Sequence, residues 1–252
     1  MFNTRSCLAS KLNSFKLFCE TQNFDIIFLT ETWWKEDKIN NAQIATRKEF
    51  NVLRCDRMGN RNGGGCAFLI NNMVSVLLPT SQNFSDEIQL ISFIIEQNNR
   101  KIAIHGIYRA PEHNIEHALS FEKCIDFVGE YSKQCNEVVF MGDMNTPDIN
   151  WVSQYEGNNK IYNKLLCFVE ELNMSQLVNE PTHVKGNILD LIFSSDEQLV
   201  TNLTIKAPFL NSDHYSVVFS INVQKPNEQI QPFLDFKNAN WDAINTKPAR
   251  ID

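Results

Sequence analysis

The apolar positions of the chain follow two patterns. Mainly apolar segments bounded by polar or glycine residues predict buried strands at 25–29, 66–70, 88–96, 101–108, 138–141, 187–193 and 216–223. Apolar residues at spacings of three and four predict amphipathic helices over 8–20, over 115–132 and around 162–172. Strands and helices interleaved in this way indicate an α/β protein.

The helix predicted over 115–132 contains one of two histidines that are four residues apart, His113 and His117. Such a pair could bind a metal, but no third ligand is near in the sequence, so we expect both histidines to be surface residues. The residues predicted to lie on the buried side of this helix are Leu119, Phe121, Cys124, Ile125 and Val128.

Polar side chains follow several of the predicted strands. Asp143 and Asn145 come after the strand 138–141 and a glycine, and residues two apart in extended chain project to the same side. A turn explains this Gly-Asp-Met-Asn segment as well as a functional site does. Other strand ends and starts carry comparable chemistry, at Asn3, Glu31, Tyr108, Asp190, Asp213 and His214.

Taken together, these residues favour metal-assisted phosphodiester hydrolysis. Glu31 is a candidate Mg²⁺ ligand, because Mg²⁺ binds one or two carboxylates and keeps several waters, although a lone Glu more often caps a loop. The adjacent residues Ser212, Asp213 and His214 cannot form a nucleophilic triad among themselves. A pair between Asp190 and His214 would instead hold the imidazole protonated, where it could stabilise a pentacoordinate phosphate.

Composition narrows the class of protein. The chain has 252 residues, of which 43% are hydrophobic and 21% charged, as is ordinary for a soluble globular protein. It has no apolar run of bilayer length and no signal-peptide core, so we expect an intracellular protein, nuclear or cytoplasmic, that is neither secreted nor in a membrane. Seven scattered cysteines without a CxxC pair argue against a disulfide framework or a zinc site, and for a reducing compartment.

The net charge of −7 does not favour binding to polyanions, since neutralised phosphates usually drive such binding. A basic cluster nevertheless lies within fifteen residues and could contact a phosphate backbone. A solvated loop explains the same cluster. Its members are Arg47, Lys48, Arg54, Arg57 and Arg61.

The motifs that carry the candidate site occur in an order that resembles a known superfamily. They are Thr-Glu-Thr-Trp at 30–33, Tyr-Arg-Ala-Pro at 108–111, Gly-Asp-Met-Asn at 142–145, Leu-Asp at 189–190 and Ser-Asp-His at 212–214. This order resembles the endonuclease/exonuclease/phosphatase superfamily, which includes exonuclease III and DNase-I-like enzymes. The Leu-Thr-Glu-Thr-Trp, Leu-Asp-Leu-Ile-Phe and Ser-Asp-His segments further resemble the apurinic-type endonuclease domain of non-LTR retrotransposons, of the LINE, Jockey or CR1 type.

The resemblance implies a four-layer α/β sandwich, in which two mainly antiparallel β-sheets are flanked by helices. It implies a DNA-nicking endonuclease that uses Mg²⁺, with Mn²⁺ as the alternative ion. Glu31 would bind the metal with Asn3 and Asp213 nearby, and Asp143 would orient and deprotonate the attacking water. The remaining candidate roles are phosphate binding by Tyr108 and Asn145, transition-state stabilisation by His214 with Asp190, and contacts to DNA phosphates by Arg57, Arg61 and Thr182.

The resemblance covers residues 1–223. Residues 224–252 resemble the linker that precedes a reverse transcriptase, a domain that does not follow in this chain. Only two residues precede Asn3, so we expect a truncated first strand, whose loss would leave neighbouring backbone groups unpaired. The expected partner is duplex DNA, bound by a monomer. Two alternatives are a phosphatase or phospholipase of the same fold and a catalytically compromised remnant.

Overall fold

The computed structural model describes residues 1–8, 10–44, 50–59, 61–111, 114–147, 149, 151 and 160–223. The predicted linker 224–252 therefore lies outside the described residues. The helices are α1 (Ser10–Thr21), α2 (Asn41–Ile44), α3 (Ile115–Ser132) and α4 (Lys160–Glu171). The strands are β1 (Phe2–Asn3), β2 (Ile26–Thr30), β3 (Phe50–Cys55), β4 (Cys66–Asn71), β5 (Val76–Ser85), β6 (Ile88–Gln97), β7 (Arg100–Arg109), β8 (Glu137–Asp143), β9 (Ser175–Gln176), β10 (Asp190–Ser194), β11 (Val200–Lys206) and β12 (Ser216–Ile221).

The strands form two large sheets. One has the order β1-β2-β4-β3 and the other β5-β6-β7-β8-β10-β9. The pairs β1–β2 and β7–β8 are parallel, and the other pairs in these sheets are antiparallel. The hairpin β11–β12 extends the first sheet, because the Met1 amine donates to the Val217 carbonyl (2.6 Å) and the Val217 N–H donates to the Met1 carbonyl (3.0 Å). The predicted pair of mainly antiparallel sheets is confirmed.

Alternating side chains of the strands fill three separate cores, and these cores define four layers. In β2, Ile27 and Leu29 pack on the side of α1, whereas Phe28 faces the second sheet. In β8, Val139 faces the first sheet and Phe140 packs with α3 and α4. The order of layers is therefore α1, first sheet, second sheet, and α3 with α4, as expected for the four-layer sandwich.

The predicted helix over 115–132 is α3, but two of its side chains were assigned to the wrong face. Leu119 is exposed and His117 is buried, because the buried stripe of α3 begins at His117 and continues through Phe121. Asn114 begins the helix by accepting a hydrogen bond from the His117 N–H (2.8 Å). His113 lies outside the described residues. The remaining predicted core residues of this helix are buried, namely Phe121, Cys124, Ile125 and Val128.

A short first strand is present at the expected position. β1 pairs in parallel with the end of β2, Phe2 opposite Leu29 and Asn3 opposite Thr30. Met1 continues the pairing on the other side, to Val217 of β12. Two paired residues are thus sufficient to place Asn3 at the edge of the sheet where β2 also ends.

None of the helices, over the described residues, combines the length and apolar content that crossing a bilayer requires.

Candidate active site

The candidate site begins as a row of polar residues across the second sheet. Gln89 of β6 is paired with Tyr108 of β7, Tyr108 with Asp143 of β8, and Asp143 with Asp190 of β10. All four continue the alternation that faces the first sheet, so they line one end of the space between the sheets. Asn3 reaches the same row from the first sheet, since its Nδ2 donates to Asp143 Oδ2 (2.8 Å).

Asp143 lies at the centre of this row and is almost fully buried. Its Oδ1 has no hydrogen-bond partner among the described residues. Burial raises the pKa of the Asp143 carboxyl to about 8, and the charges of Asp190 and Glu31 add to this shift, whereas His214 opposes it. Asp143 is therefore a group that can accept a proton near neutral pH.

His214 lies between two buried carboxylates. Its Nδ1 is 2.7 Å from Asp190 Oδ2, and its Nε2 is 4.0 Å from Asp143 Oδ2. Burial by itself would lower the pKa of His214, but the hydrogen bond to Asp190 and the negative charge of that residue raise it to about 9. The pairing of Asp190 with His214 that we expected from the sequence is present, and it favours an imidazolium at neutral pH.

Thr182 holds the backbone segments that carry Asp190 and His214. It is fully buried, and its Oγ1 accepts hydrogen bonds from the N–H groups of Leu189 (2.9 Å) and Asp190 (3.0 Å). The Tyr215 N–H donates to the Thr182 carbonyl (2.8 Å). Thr182 thus fixes the backbone on both sides of the pair and presents no free surface to a phosphate.

Glu31 follows β2 in a left-handed conformation, with φ of 54°. Such a conformation is costly outside glycine and is often found at functional sites. The Glu31 carboxylate accepts hydrogen bonds from the Tyr108 hydroxyl, the Trp33 Nε1–H and the Gly64 N–H. Burial and the neighbouring charges of Glu31 and Asp143 raise the pKa of Tyr108, which therefore remains a hydrogen-bond donor.

Asn145 also has a left-handed backbone, with φ of 47°. Its Nδ2 donates to the Arg109 carbonyl (2.8 Å), and Arg109 Nη1 in turn donates to the carbonyls of Met144 (2.7 Å) and Asn145 (3.1 Å). Arg109 is fully buried, so its side chain holds the loop after β8 against the end of β7. The sequence motif contained this arginine, but its role depends on contacts that only the fold provides.

The basic cluster predicted from the sequence is largely engaged in internal contacts. Arg57 is buried, donates to the carbonyls of Asp86 and Asn62, and lies 5.9 Å from the centre of the Tyr108 ring. Arg61 is exposed and pairs with Glu87 (2.8 Å). Arg54 pairs with Asp56, while Arg47 and Lys48 lie outside the described residues.

Two residues near the site were not predicted, Arg5 and His183. Arg5 Nη1 donates to Asp213 Oδ2 (2.7 Å), and His183 Nε2 lies 3.5 Å from the same oxygen. Burial alone would raise the pKa of Asp213, but a backbone hydrogen bond and the positive charge of Arg5 lower it. His183 directly follows Thr182 in the sequence, but its side chain gave no signal because its partner is distant in the chain.

The residues present fit a divalent cation. Two groups in the described part of the chain bring three ligand atoms within 4.8 Å of one another: Asp143, Asp190 and His214, and separately His183, Asp213 and His214. Glu31 belongs to neither group, although its charge acts on Asp143. The unpartnered Asp143 Oδ1 and the concentration of carboxylate oxygens are the features that a hard cation would satisfy.

The chain is similar to known proteins in part of its sequence and in its fold. Residues 102–218 match the family model described as "Endonuclease-reverse transcriptase". No curated protein sequence matches the chain.

Among solved structures, the endonuclease domain of TRAS1, a telomere-specific non-LTR retrotransposon, is similar with a TM-score of 0.63 and 18% identity, over 89% of this chain and 97% of that one. The catalytic domain of Xenopus laevis APE2 is similar with a TM-score of 0.63 and 12% identity, over 89% and 93% of the two chains. The 3′ phosphatase NExo from Neisseria, bound to a product DNA hairpin, has a TM-score of 0.62 and 13% identity, over 88% and 97%.

These similarities are low in sequence and extend over nearly the whole of each chain, so they establish the fold. The resemblance found in the sequence motifs is thereby confirmed: the chain has the fold of the endonuclease/exonuclease/phosphatase superfamily, and its residues 102–218 match the endonuclease–reverse transcriptase family.

Proposed function

We propose that this protein is a divalent-metal-dependent endonuclease that nicks duplex DNA, of the kind that opens a target site for a retrotransposon reverse transcriptase. The observation that carries the proposal is the chain of contacts from Asn3 through Asp143 and His214 to Asp190. These contacts bring the buried carboxyl of Asp143 close to the buried imidazolium of His214, at one end of the space between the two sheets. This function requires access to chromosomal DNA inside the cell, and we treat the active unit as one chain.

In this proposal Asp143 activates the attacking water. Its carboxylate is desolvated, so it takes up a proton far more readily than an exposed aspartate does. The Asn3 amide donates to Oδ2 and leaves Oδ1 without a partner among the described residues. Asn3 therefore orients the carboxylate, and Oδ1 is the oxygen available to a water molecule.

His214 supplies positive charge to the phosphate that is attacked. Asp190 accepts a hydrogen bond from Nδ1, which leaves the Nε2–H directed toward the space beside Asp143. A donor fixed in this position stabilises the charge that develops on a non-bridging phosphate oxygen. Asn145, in the loop after β8, is a proposed donor to another phosphate oxygen through the second proton of its Nδ2. Tyr108 is the proposed third donor, once its hydroxyl proton turns from Glu31 to the phosphate.

Glu31 is the proposed principal ligand of the metal, Mg²⁺ or Mn²⁺, with Asn3 and Asp213 nearby. A divalent cation bound there would offset negative charge on the phosphate and the leaving oxygen. The hydrogen bonds from Tyr108, Trp33 and Gly64 hold the Glu31 carboxylate in place for that role.

Nicking of supercoiled plasmid by the purified chain tests the proposal. We expect nicking with Mg²⁺, no nicking with EDTA, and a loss of about 100-fold or more in Asp143→Asn, the usual contribution of a general base. The amide retains an oxygen that can accept from Asn3, so the fold is disturbed little. Glu130→Gln is the matched control, because it removes the same charge from an exposed position on α3.

The similarity to a DNA 3′ phosphatase favours phosphate-monoester hydrolysis as the second candidate function. Release of inorganic phosphate from a 3′-phosphorylated oligonucleotide distinguishes the two. Metal-dependent phosphate release without plasmid nicking would replace the nicking proposal by the phosphatase one. A cooperatively folded protein with neither activity would indicate a binding remnant.

A further inference from the structure

Arg5 is an exposed residue that lies beside the proposed catalytic residues but has no role in the proposed chemistry. The Arg5 side chain is 58% exposed, and its Nη1 donates to Asp213 Oδ2 at 2.7 Å. A guanidinium has five N–H donors in a planar fork, so one contact to a carboxylate leaves others for a second anion. Its position therefore suits a contact between Asp213 and an anionic ligand.

The Asp213 carboxylate is held in place from several directions. His183 Nε2 lies 3.5 Å from Asp213 Oδ2, and the Val184 N–H donates to the Asp213 carbonyl (2.9 Å). The Lys185 N–H donates to His183 Nδ1 (3.2 Å), so the proton of a neutral ring resides on Nε2, facing Asp213. His183 is thereby fixed as a donor and not as a metal ligand through Nε2.

Two chain segments tie this group to the active site. Arg5 follows two residues after Asn3, which donates to Asp143, and the Arg5 N–H donates to Asn3 Oδ1 (3.0 Å). Asp213 directly precedes His214. Arg5 therefore cannot move far relative to the reacting groups without disturbing one of these bonds.

The basic cluster of the sequence supplies no further cation beside Arg5. The chain carries a net charge of −7, and the basic residues at 54, 57 and 61 make internal contacts. By contrast, Lys11 reaches the Arg5 side of the site, where its Nζ donates to the Arg5 carbonyl (2.9 Å). Arg5 and Lys11 thus place two cations next to the carboxylates of the site.

We propose that Arg5 binds a phosphate of the DNA backbone adjacent to the scissile phosphate, and that Asp213, held by His183, orients the guanidinium for this contact. The inference rests on the proposed DNA-nicking function and assigns Asp213 a positioning role instead of the ligand role expected from the sequence. Arg5 and His183 become part of the substrate site, and the arginine cluster at 54–61 does not.

Equilibrium binding in EDTA tests the contact without catalysis. Fluorescence anisotropy of a labelled DNA duplex, measured over a series of KCl concentrations, gives the slope of log K against log [salt]. Losing one phosphate contact reduces the magnitude of this slope by about 0.9. We expect that reduction in Arg5→Ala, little change in Arg5→Lys, and none in Lys133→Ala. Lys133, which follows the last residue of α3, is likewise an exposed cation paired with one carboxylate.

An unchanged slope in Arg5→Ala, in a variant whose thermal melt matches the wild type, would overturn the inference and leave the nicking proposal standing. Wild-type protein that does not bind duplex DNA in EDTA would overturn the inference, and it would overturn the nicking proposal as well only if the protein also fails to nick plasmid with Mg²⁺.

The positioning role of Asp213 needs a second readout. In a double-mutant cycle, Arg5→Ala should weaken binding less when Asp213→Asn is already present. Equal effects in the two backgrounds would show that Asp213 does not orient Arg5.

Discussion

At the centre of the site one imidazole is shared between two buried carboxylates. Asp143 and Asp190 both lie within hydrogen-bond or ion-pair distance of His214, but only Asp190 bonds Nδ1 directly. The pKa of Asp143 is raised to about 8 and that of His214 to about 9. Because the pKa of Asp143 lies near neutral pH and that of His214 lies above it, Asp143 can exchange a proton while His214 keeps its positive charge.

The first prediction concerns the His214–Asp190 pair. In metal-free wild-type protein we expect the His214 ring to titrate near pH 9, as measured by ¹⁵N NMR of the imidazole. In Asp190→Asn the stabilising charge is lost while burial remains, so the pKa of His214 should fall by more than one unit. His105 provides the internal control, because burial alone lowers its pKa to about 3 and its ring is bonded to Ser92 and Ser132. An unchanged His214 pKa in Asp190→Asn would contradict the pairing.

The second prediction concerns the cost of burying Asp143. Its pKa is raised from 3.8 to about 8, so its contribution to stability is present below pH 3.8 and is lost as pH rises through 8. Asp143→Asn should abolish activity and yet stabilise the metal-free protein at about pH 9, by about 1–4 kcal/mol. At about pH 5 the two proteins should differ much less, because most of the Asp143 carboxyl is protonated there.

Urea unfolding in EDTA at both pH values measures this difference. The exposed Glu130→Gln variant should show no such dependence on pH. Equal stability of wild type and Asp143→Asn at the alkaline pH would mean that the carboxylate is not desolvated.

Among the elements, β7 and β8 carry the paired residues Tyr108 and Asp143. The two backbones approach closely one position earlier, at a glycine. Gly142 is opposite Ile107, with φ of 152°, and a Cβ added to it would lie 1.9 Å from the Ile107 carbonyl oxygen. We expect Gly142→Ala to destabilise the protein by more than about 4 kcal/mol, because backbone must move where Tyr108 and Asp143 are paired.

Gly186→Ala is the matched control for that substitution. Gly186 also has a positive φ, of 89°, but a Cβ there would meet no atom within 4 Å. Its cost should therefore be limited to backbone strain of about 1–3 kcal/mol. Thermal melting of the two variants compares them, and similar losses would show that the close approach of β7 and β8 is not required.

The long elements were predictable because each has its own apolar pattern. Strands β6, β7 and β8 and helix α3 are present where the runs at 88–96, 101–108, 138–141 and 115–132 predicted them. Strands β3, β5, β9 and β11 were not predicted, since β9 has only two residues and the other three mix polar and apolar positions. Their pairing depends on partner strands, which a local pattern does not reveal.

The site residues also divide into those that a local sequence pattern indicates and those that depend on distant segments. Tyr108, Asp143 and Asp190 were predictable because each lies within or just after an apolar segment, and the strand register then placed them side by side. The burial of Arg57 and the contact of His183 with Asp213 depend on tertiary packing between separate segments. A basic cluster in the sequence therefore did not identify which arginine faces a ligand.

On the scale of the whole molecule, residues at the start of the chain contact residues more than 200 positions later. The two sheets bring residues from opposite ends of the chain together, since Met1 pairs with Val217 and Arg5 with Asp213. We accordingly retain the proposal that 1–223 is the catalytic domain. The site is then assembled only when the first and last strands are both in place.

This arrangement leads to a prediction about metal binding and global stability. Glu31 and Asp143 come from different sheets, so a cation bound by Glu31 and attracted by the charge of Asp143 would stabilise the folded state only. Mg²⁺ at about 100 times its dissociation constant should add about 2.7 kcal/mol, or roughly 5–10 °C in Tm for a protein of this size. The rise should be larger at about pH 8.5 than at pH 6, because a proton on Asp143 competes with the cation.

Differential scanning calorimetry with Mg²⁺ and with EDTA measures the shift independently of activity. Glu31→Gln should lose most of the rise in Tm, while Glu130→Gln, an exposed position with the same charge change, should keep it. A rise that is equal in Glu31→Gln and wild type would place the cation away from Glu31. If metal binding removes the proton from Asp143, the affinity for the metal must depend on pH. A rise in Tm that does not depend on pH would therefore show that Asp143 does not interact with the bound metal, and its proposed role would be that of the base alone.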